Sequence, residues 1–393
     1  VTLHGIYSWI PAAVRANLVR FIDHATMPGS LVYVSYNSMP GWLTTVPYQH
    51  LARQIQLATA RSGPEALKEA TRLLESMVAV NAPIHRTLPA LKPRLEHVSK
   101  QNSAYLVQEY LHDNWHPLWF SNVAKELSGA KLTFVSSAYY PEALMPALLP
   151  VPMREIAVSI DDTFLRQDVM DAMLNNGFRR DVFCRGPRKS FGRQPRLVLD
   201  TKVMLGSSTR AVEAKVTTSA GEAKISAEVV GAVINALMAG PKTIGALAAM
   251  KEMGGANSAA NIQTLILLLS NSVIMLAQDE DVSRGAAHAF NAEVARAVTN
   301  GAPYTYLASP VLASGIQSSD VELLLLNAWF QDPSSDQETL SRLMLEGLAG
   351  LGRGLMHDGA QLSGAALQKR AQKLTATFVE TTLPRLRNFG VVQ

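Results

Sequence analysis

The first 48 residues alternate between apolar runs typical of strands and apolar spacing typical of a helix. A short apolar run ends at Leu3, Gly5 permits a turn, and apolar residues recur at helical spacing after Pro11. Residues 31–36 are rich in β-branched and aromatic side chains and continuous enough for a buried strand. The pattern predicts a strand, a helix and a second strand of an open parallel sheet, in which ligands bind beyond the carboxyl ends of the strands.

Residues 49–104 have helical spacing throughout, with a break at the Ser-Gly-Pro sequence of residues 62–64. We expect a helical insertion that leaves the sheet and either covers a ligand crevice, makes a dimer contact or serves as scaffold. The chain is then predicted to return to the sheet over residues 105–190. Ser121 is the expected N-cap of a helix, residues 132–136 and 181–184 are expected strands, and a helix between them is expected to stop at Gly177.

The second half of the chain is predicted to be mainly helical. Residues 191–221 are basic and rich in turn formers, with a strand-like run at 196–199, and are interpreted as a linker. Three helices over residues 222–318 fit a winged-helix-like domain, and residues 319–393 form a further helical region. The most apolar segment, residues 262–277, is shorter than the roughly 20 residues of a membrane span and is expected to be a buried helix.

Four segments occur in an order that carries a family resemblance. They are LHGIYSWIP (residues 3–11), PGSLVYVSYNSMPGW (28–42), QNSAYLVQEYLHDNWHPLWF (101–120) and FRRDVFCRGPRK (178–189). Together they resemble the bacterial S-adenosylmethionine-dependent methyltransferases that bear a methyltransferase regulatory domain, among them the rickettsial-type protein lysine methyltransferases. The resemblance implies an α/β class with a partial Rossmann-like sheet, S-adenosylmethionine as cofactor and a protein side chain such as lysine as acceptor.

The same resemblance implies a set of site residues around the strand ends. Residues expected to bind the cofactor or line the crevice are His4, Gly5, Ile6 and Tyr7. Residues expected to form a substrate channel are Trp9, Tyr36, Asn37, Trp115 and Trp119. Aromatic faces favour a cationic sulfonium or ammonium. Structural roles stay open for several of these side chains: a hydrogen-bonded structural histidine for His4, core packing for Tyr7 and Trp9, and turn formation for Asn37.

The cofactor half of such a fold begins with a strand bearing an acidic residue, followed by a glycine-rich turn and a second acidic residue. None of these precedes Val1. The expectation is therefore that the N-terminal cofactor-binding half lies upstream, and cofactor binding by this chain alone stays open. The glycines of residues 350–354 follow helical spacing without a strand, so they are interpreted as a turn that ends a helix.

His112 and His116 lie four residues apart beside an aspartate, yet they do not predict a metal site. Pro117 limits the helix, and a structural zinc ion would need further ligands. The catalytic residue is not identified by the sequence. His116 is the candidate acid or base, because a lysine acceptor must lose a proton before it attacks. Hydrogen-bonded packing over the edge of the sheet is the alternative.

The charge and the cysteine content of the chain restrict the classes of partner and the location that the sequence predicts. The net charge of +4 is dispersed apart from a basic cluster at residues 179–196, and residues 222–275 contain as many acidic as basic side chains, so no nucleic-acid partner is predicted. The single cysteine, Cys184, excludes an internal disulfide and agrees with a cytoplasmic location. The expected partners are a protein substrate and a second copy of the chain, which would form a homodimer through the helical insertion. The alternative function is a non-catalytic regulatory or interaction module derived from a methyltransferase.

Overall fold

The computed structural model of the protein describes residues 1–98, 100–188, 190, 192–206, 214–278, 284–357 and 360–393. The chain divides into two units. Unit 1 comprises Val1–Phe191 and Lys215–Lys224, and unit 2 comprises Gly192–Ala214 and Ile225–Gln393. The chain thus passes between the units three times, close to the residues predicted as a linker.

A four-stranded sheet lies at the centre of unit 1. Its strands are β1 (Thr2–Leu3), β2 (Leu31–Asn37), β3 (Leu132–Ser137) and β4 (Phe178–Arg185), in the order β1-β2-β4-β3. The four predicted strands are all present. β1 and β2 are parallel, but β4 runs antiparallel to both β2 and β3, so the sheet is mixed and the prediction of a parallel sheet was wrong on this point. The reason is that the turn before β4 lies against the end of β2, where Ser38 N–H donates to Gly177 O at 3.0 Å, so β4 must run back along β2.

Ten helices of unit 1 lie within the described residues. They are α1 (Ala12–Ala25), α2 (Val46–Thr59), α3 (Gly63–Ala79), α4 (Pro83–Thr87), α5 (Leu91–Val98), α6 (Ser103–Tyr110), α7 (Phe120–Ser128), α8 (Tyr140–Ala143), α9 (Val151–Val158) and α10 (Thr163–Leu174). The sheet packs on α1 and α7 through buried residues such as Ile22, Val34 and Phe120. Helices α2 to α6 form their own apolar cluster around Leu74, Leu91 and Tyr110, which confirms the helical segment predicted after residue 48.

Helix α7 begins two residues before the predicted start. Its N-cap is Trp119, and Ser121 is already inside the helix. The carboxylate of Asp168 accepts the backbone N–H of Ser121 at 3.0 Å, so a side chain of α10 satisfies the donor that a local cap would otherwise take. A tertiary contact therefore replaces the local signal on which the prediction relied.

After β4 the chain crosses between the units. It forms α11 (Arg193–Asp200) and β5 (Lys202–Leu205) in unit 2, and then the hairpin of β6 (Ala214–Thr218) and β7 (Gly221–Ile225). The run at residues 196–199 lies in α11, so its prediction as a strand was wrong. Leu199 packs against Gly245, where an added Cβ would lie 3.2 Å from that of Leu199. This packing favours the helix over the strand.

The next part of unit 2 combines three helices with a three-stranded sheet of order β8-β5-β9. The elements are α12 (Ala227–Met238), β8 (Lys242–Thr243), α13 (Ile244–Ala248), α14 (Ala259–Ser270) and β9 (Ile274–Leu276). The apolar segment predicted as one helix to residue 277 is instead a helix, a turn and a strand. Ser272 adopts a left-handed conformation with φ 55°, which ends the helix and lets β9 pair with β5.

The remaining elements of unit 2 surround a large apolar core that includes Leu323, Leu326, Met344 and Phe378. They are α15 (Gly285–Thr299), β10 (Tyr306–Ser309), β11 (Ser314–Gln317), α16 (Asp320–Gln331), α17 (Gln337–Gly350), β12 (Met356–His357), β13 (Ala360–Gln361), α18 (Gly364–Thr377) and α19 (Leu383–Asn388). Gly350 ends α17 and Gly352 follows with φ 66°, which confirms the predicted helix-ending turn. In the described part of the chain, no helix has the length and apolar character to cross a membrane.

Candidate functional site

A cavity of about 750 Å³ opens in unit 1 beside the carboxyl ends of β1 and β2. It lies where the sheet topology predicts a ligand, because the loops that follow two neighbouring parallel strands diverge there. The lining residues are His4, Gly5, Trp9, Tyr36, Asn37, Gly41, Trp42, Arg94, Tyr105, Glu109, Gly177 and Phe178.

The turn after β1 fixes one side of this cavity. Gly5 has φ 64°, a conformation that favours glycine, and its N–H donates to Ser35 Oγ at 2.9 Å. His4 Nδ1 lies 3.2 Å from the same hydroxyl oxygen, and the His4 ring stacks on Tyr33 with centroids 6.2 Å apart. A Cβ added at Gly5 would meet no atom within 4 Å, so the space beside this backbone is open to a ligand.

Asn37 is the last residue of β2, and its side chain reaches across to the helical insertion. Its backbone N–H donates to Ser8 Oγ at 2.8 Å, and its carbonyl accepts the N–H of Leu118 at 2.9 Å. The side-chain amide donates through Nδ2 to Glu109 Oε1 at 3.2 Å. Asn37 is buried with its backbone in the sheet, and it orients a carboxylate of α6.

Glu109 and Arg94 bring opposite charges to the cavity without forming an ion pair within the described residues. Burial raises the pKa of Glu109, while the hydrogen bond from Asn37 and the charge of Arg94 act in the opposite direction. The Arg94 guanidinium lies 5.4 Å from the ring centroid of Trp42 and donates to Tyr110 Oη at 2.9 Å. The cavity therefore combines aromatic walls with one carboxylate and one guanidinium, each held by different neighbours.

The loop after β2 depends on a close approach of two glycines. A Cβ added at Gly41 would lie 2.5 Å from Gly177 Cα, which is closer than side chains tolerate. Gly41 N–H donates to Asn176 O at 3.1 Å, and the indole of Trp42 donates to Gly177 O at 2.7 Å. These contacts hold the Trp42 ring in the cavity wall and join β2 to the start of β4.

A buried ionic network anchors Tyr36 beneath the cavity. Its hydroxyl donates to Asp181 Oδ2 at 2.7 Å, and burial raises the pKa of Tyr36 well above its ordinary value. Arg179 bridges Asp181, 2.8 Å away through Nε, and Asp171, 2.7 Å away through a terminal nitrogen. Burial raises the pKa of Asp171 to about 6. Two carboxylates thus share one guanidinium, and the network joins α10 to β4.

Five of the predicted site residues line this cavity, namely His4, Gly5, Trp9, Tyr36 and Asn37. Ile6 and Tyr7 are not among the lining residues: Ile6 is 45% exposed at the surface, and Tyr7 is fully buried in the sheet core. The Tyr7 hydroxyl donates to Glu126 Oε2 at 2.6 Å, which Arg15 also contacts. Burial raises the pKa of Tyr7. The hydrogen bond to α7 holds its ring in the core, which corresponds to the core-packing alternative for this side chain.

The remaining predicted residues, Trp115, Trp119 and His116, are not among the lining residues either. Trp115 packs edge-on against Trp42 with ring centroids 5.7 Å apart, and Trp119 is half-buried at the start of α7. His116 is exposed, and its backbone N–H donates to Ser8 O at 3.1 Å. Its role as an acid or base stays a prediction. The described residues contain no group of three or more His, Cys, Asp or Glu side chains arranged to hold a metal ion.

Sequence reasoning did not identify several lining residues, including Arg94, Trp42, Tyr105 and Glu109. A signal for two of them was present: Tyr105 and Glu109 are four residues apart, which places them on the same face of α6. Burial, and after it the charge of Glu109, raises the pKa of Tyr105. Arg94 carries no local signal, because its position depends on how α5 packs within the insertion.

One segment of the chain matches a known protein family. Residues 102–185 match the family described as a predicted methyltransferase regulatory domain. The matching segment extends from α6 to β4 and supplies Tyr105, Glu109, Gly177 and Phe178 to the cavity.

Two relatives and two solved structures resemble the chain beyond this segment. An uncharacterized protein of Synechocystis sp., sll1526, is 29% identical over 403 residues, which cover 100% of this chain and 77% of the relative. An uncharacterized protein of Rickettsia prowazekii, RP789, is 21% identical over 196 residues, which cover 48% of this chain and 34% of the relative.

The structure of PKMT2 from Rickettsia typhi matches with a TM-score of 0.64 and 14% identity, and covers 99% of this chain and 80% of that protein. The structure of the same protein in complex with AdoHcy matches with a TM-score of 0.64 and 15% identity. This match covers 98% of this chain and 79% of that protein. The chain therefore has the same mixed α/β fold as PKMT2.

Proposed function

We propose that the chain acts in an S-adenosylmethionine-dependent methyltransferase whose acceptor is a protein side chain, lysine. The observation that carries this proposal is the cavity at the carboxyl ends of β1 and β2, with its aromatic walls and its single acidic residue, Glu109. The AdoHcy bound to the structurally similar PKMT2 supports the choice of cofactor. The proposal of lysine draws on the charge and shape of the cavity.

The residues at the end of β1 suit the cofactor. S-Adenosylmethionine, when bound, supplies a methyl group on a positively charged sulfonium. Gly5 leaves open space beside its backbone, and the half-buried ring of Trp9 presents an aromatic surface to the same cavity. A desolvated cation over such a ring gains up to about 2 kcal/mol. His4, Gly5 and Trp9 are therefore the residues of this chain that would hold the cofactor.

The opposite side of the cavity suits a lysine. Trp42, Tyr105 and Phe178 offer apolar surface to the methylene groups of the side chain, and Glu109 offers a negative charge to its end. The ammonium first loses a proton to solvent, and the neutral amine then attacks in line, so that the bond from methyl to nitrogen forms as the bond from methyl to sulfur breaks. Holding the nitrogen in place contributes much of the rate of such a displacement. In this proposal the chain positions the acceptor and limits its contact with water.

Calorimetric titration of the chain with S-adenosylmethionine and with S-adenosylhomocysteine tests the proposal. We expect both to bind. We expect Trp9→Leu to lower the affinity for S-adenosylmethionine by about tenfold and the affinity for S-adenosylhomocysteine by less, because only S-adenosylmethionine contains a sulfonium cation. Tyr304→Leu in unit 2, an exposed aromatic outside the cavity, is the matched control. A folded chain that binds neither ligand would contradict the assignment of His4, Gly5 and Trp9 to the cofactor and would favour the non-catalytic module.

A further inference from the structure

The cavity contains a carboxylate whose charge is not neutralised by an ion pair. Of the residues that line it, all of which lie within the described ranges, Glu109 is the one acidic side chain. Its Oε1 atom accepts the hydrogen bond from Asn37 at 3.2 Å. No described residue makes a hydrogen bond or ion pair with Oε2, and that atom is not sealed from solvent. One carboxylate oxygen is therefore held by the protein and the other is available to a ligand.

Arg94, the guanidinium that lines the cavity, contacts residues other than Glu109. Arg94 stacks over Trp42 and donates to the hydroxyl of Tyr110, and its nitrogens lie beyond ion-pair distance of Glu109. A partly buried carboxylate without a paired cation is costly to maintain, and a positively charged ligand removes that cost. The charge arrangement thus selects a ligand whose tip is a cation.

The walls around Glu109 define the shape of that ligand. Tyr105 lies one helical turn before Glu109 on α6, and Trp42 and Phe178 line the same cavity. A long unbranched apolar stem fits between aromatic faces, and its cationic end gains both an ion pair with the carboxylate and attraction to the rings. A primary ammonium on a flexible chain combines these features.

We propose that Glu109 is a specificity-determining residue that binds the ammonium group of the acceptor lysine, and that Asn37 is the positioning residue that orients it. This inference rests on the proposed methyltransferase function and goes beyond it, because it assigns acceptor recognition to a residue of the segment that matches the regulatory domain. That segment is then part of the acceptor site.

Two variants of Glu109 separate charge from shape. Glu109→Gln keeps the length of the side chain and an oxygen that can accept from Asn37, but it removes the negative charge. Glu75→Gln, at an exposed residue of α3, removes one negative charge outside this cavity from a helix of the same apolar cluster as α6, and is the matched control. Thermal unfolding of each variant establishes that it is folded before binding is measured.

The probes are a short glycine-rich peptide with one lysine and the same peptide with norleucine in its place, each titrated into the full chain saturated with S-adenosylhomocysteine. We expect the unchanged chain to bind the lysine peptide at least about tenfold more tightly than the norleucine peptide. We expect Glu109→Gln to lose that preference, because a hydrogen bond to a charged group is worth about tenfold or more in affinity. Binding of S-adenosylhomocysteine should stay within about twofold, and Glu75→Gln should behave like the unchanged chain.

The results separate this inference from the proposed function. Equal binding of the lysine peptide by Glu109→Gln and the unchanged chain would overturn the role of Glu109. The absence of any lysine preference in a chain that binds S-adenosylhomocysteine would also overturn it, while leaving a methyltransferase with another acceptor. A folded chain that does not bind S-adenosylhomocysteine would remove the function on which the inference rests.

Discussion

Single side chains in this protein take their roles from their neighbours more than from their residue type. Tyr7 and Tyr36 both follow or end a strand of the same sheet, and both donate to a carboxylate. Tyr7 is drawn into the core by Glu126 of α7, whereas Tyr36 stays at the base of the cavity because Asp181 lies in the adjacent strand. The difference is made by partners more than 100 residues away, which a local sequence pattern does not contain.

The carboxyl group of Asp171 predicts a pH-dependent stability. Its pKa of about 6 lies above its unfolded value of about 4, so the folded state binds more protons between these values. Its contribution is therefore fully present below about pH 4 and is lost as the pH rises through 6. Asp171→Asn lacks this titration. We expect the free energy of unfolding of the unchanged chain, relative to the variant, to fall by about 1 kcal/mol from pH 5 to pH 7.

Urea unfolding followed by tryptophan fluorescence measures this difference, since four of the five tryptophans lie in unit 1 together with Asp171. A difference between the two proteins that stays constant from pH 5 to pH 7 would show that Asp171 does not titrate in this range. In the variant, Arg179 retains its ion pair with Asp181 within β4.

Among the elements, the loop from β2 to α2 determines the shape of the cavity through the contact of Gly41 with Gly177. We expect Gly41→Ala to destabilise unit 1 by about 2 kcal/mol or more, because the added Cβ would lie 2.5 Å from backbone atoms that cannot move without disturbing β4. Gly177→Ala is the matched control. A Cβ there would be 3.7 Å from Trp42 Nε1, an ordinary contact, so we expect a change of less than about 1 kcal/mol.

Differential scanning calorimetry of the two variants checks this prediction. Similar melting temperatures for Gly41→Ala and Gly177→Ala would mean that the loop can relax and that the close approach is not required for the fold.

Strand β2 could be predicted from the sequence because it is a run rich in β-branched and aromatic residues that is mostly buried in the sheet. The direction of β4 could not, since it follows from the turn at Gly177 meeting the end of β2. In the same way, the site residues at strand ends, such as His4 and Asn37, follow from the general position of ligands in these sheets. Arg94 and Trp42 reach the cavity through the packing of the insertion and a loop, which leaves no periodic signal.

At the scale of the whole molecule, the cavity is assembled from three distant parts of the chain: the segments before residue 43, the helices at residues 94–109, and the start of β4. All of its lining residues belong to unit 1. A site built from such distant segments requires that the sheet and the insertion fold together, so its integrity reports on unit 1 as a whole.

Because ligand affinity depends on the groups that contact the ligand, a defect in the core of unit 2 should lower stability without changing the site. We expect Leu326→Ala, at a fully buried position, to cost about 2–5 kcal/mol in the unfolding of unit 2. The dissociation constant of S-adenosylhomocysteine should change by less than about twofold, since a tenfold change would require the loss of about 1.4 kcal/mol of binding free energy. It is measured by calorimetry at a temperature where circular dichroism shows that the variant is folded. A large loss of affinity under those conditions would show that residues of unit 2 contribute to cofactor binding, and that the lining residues of unit 1 are an incomplete site.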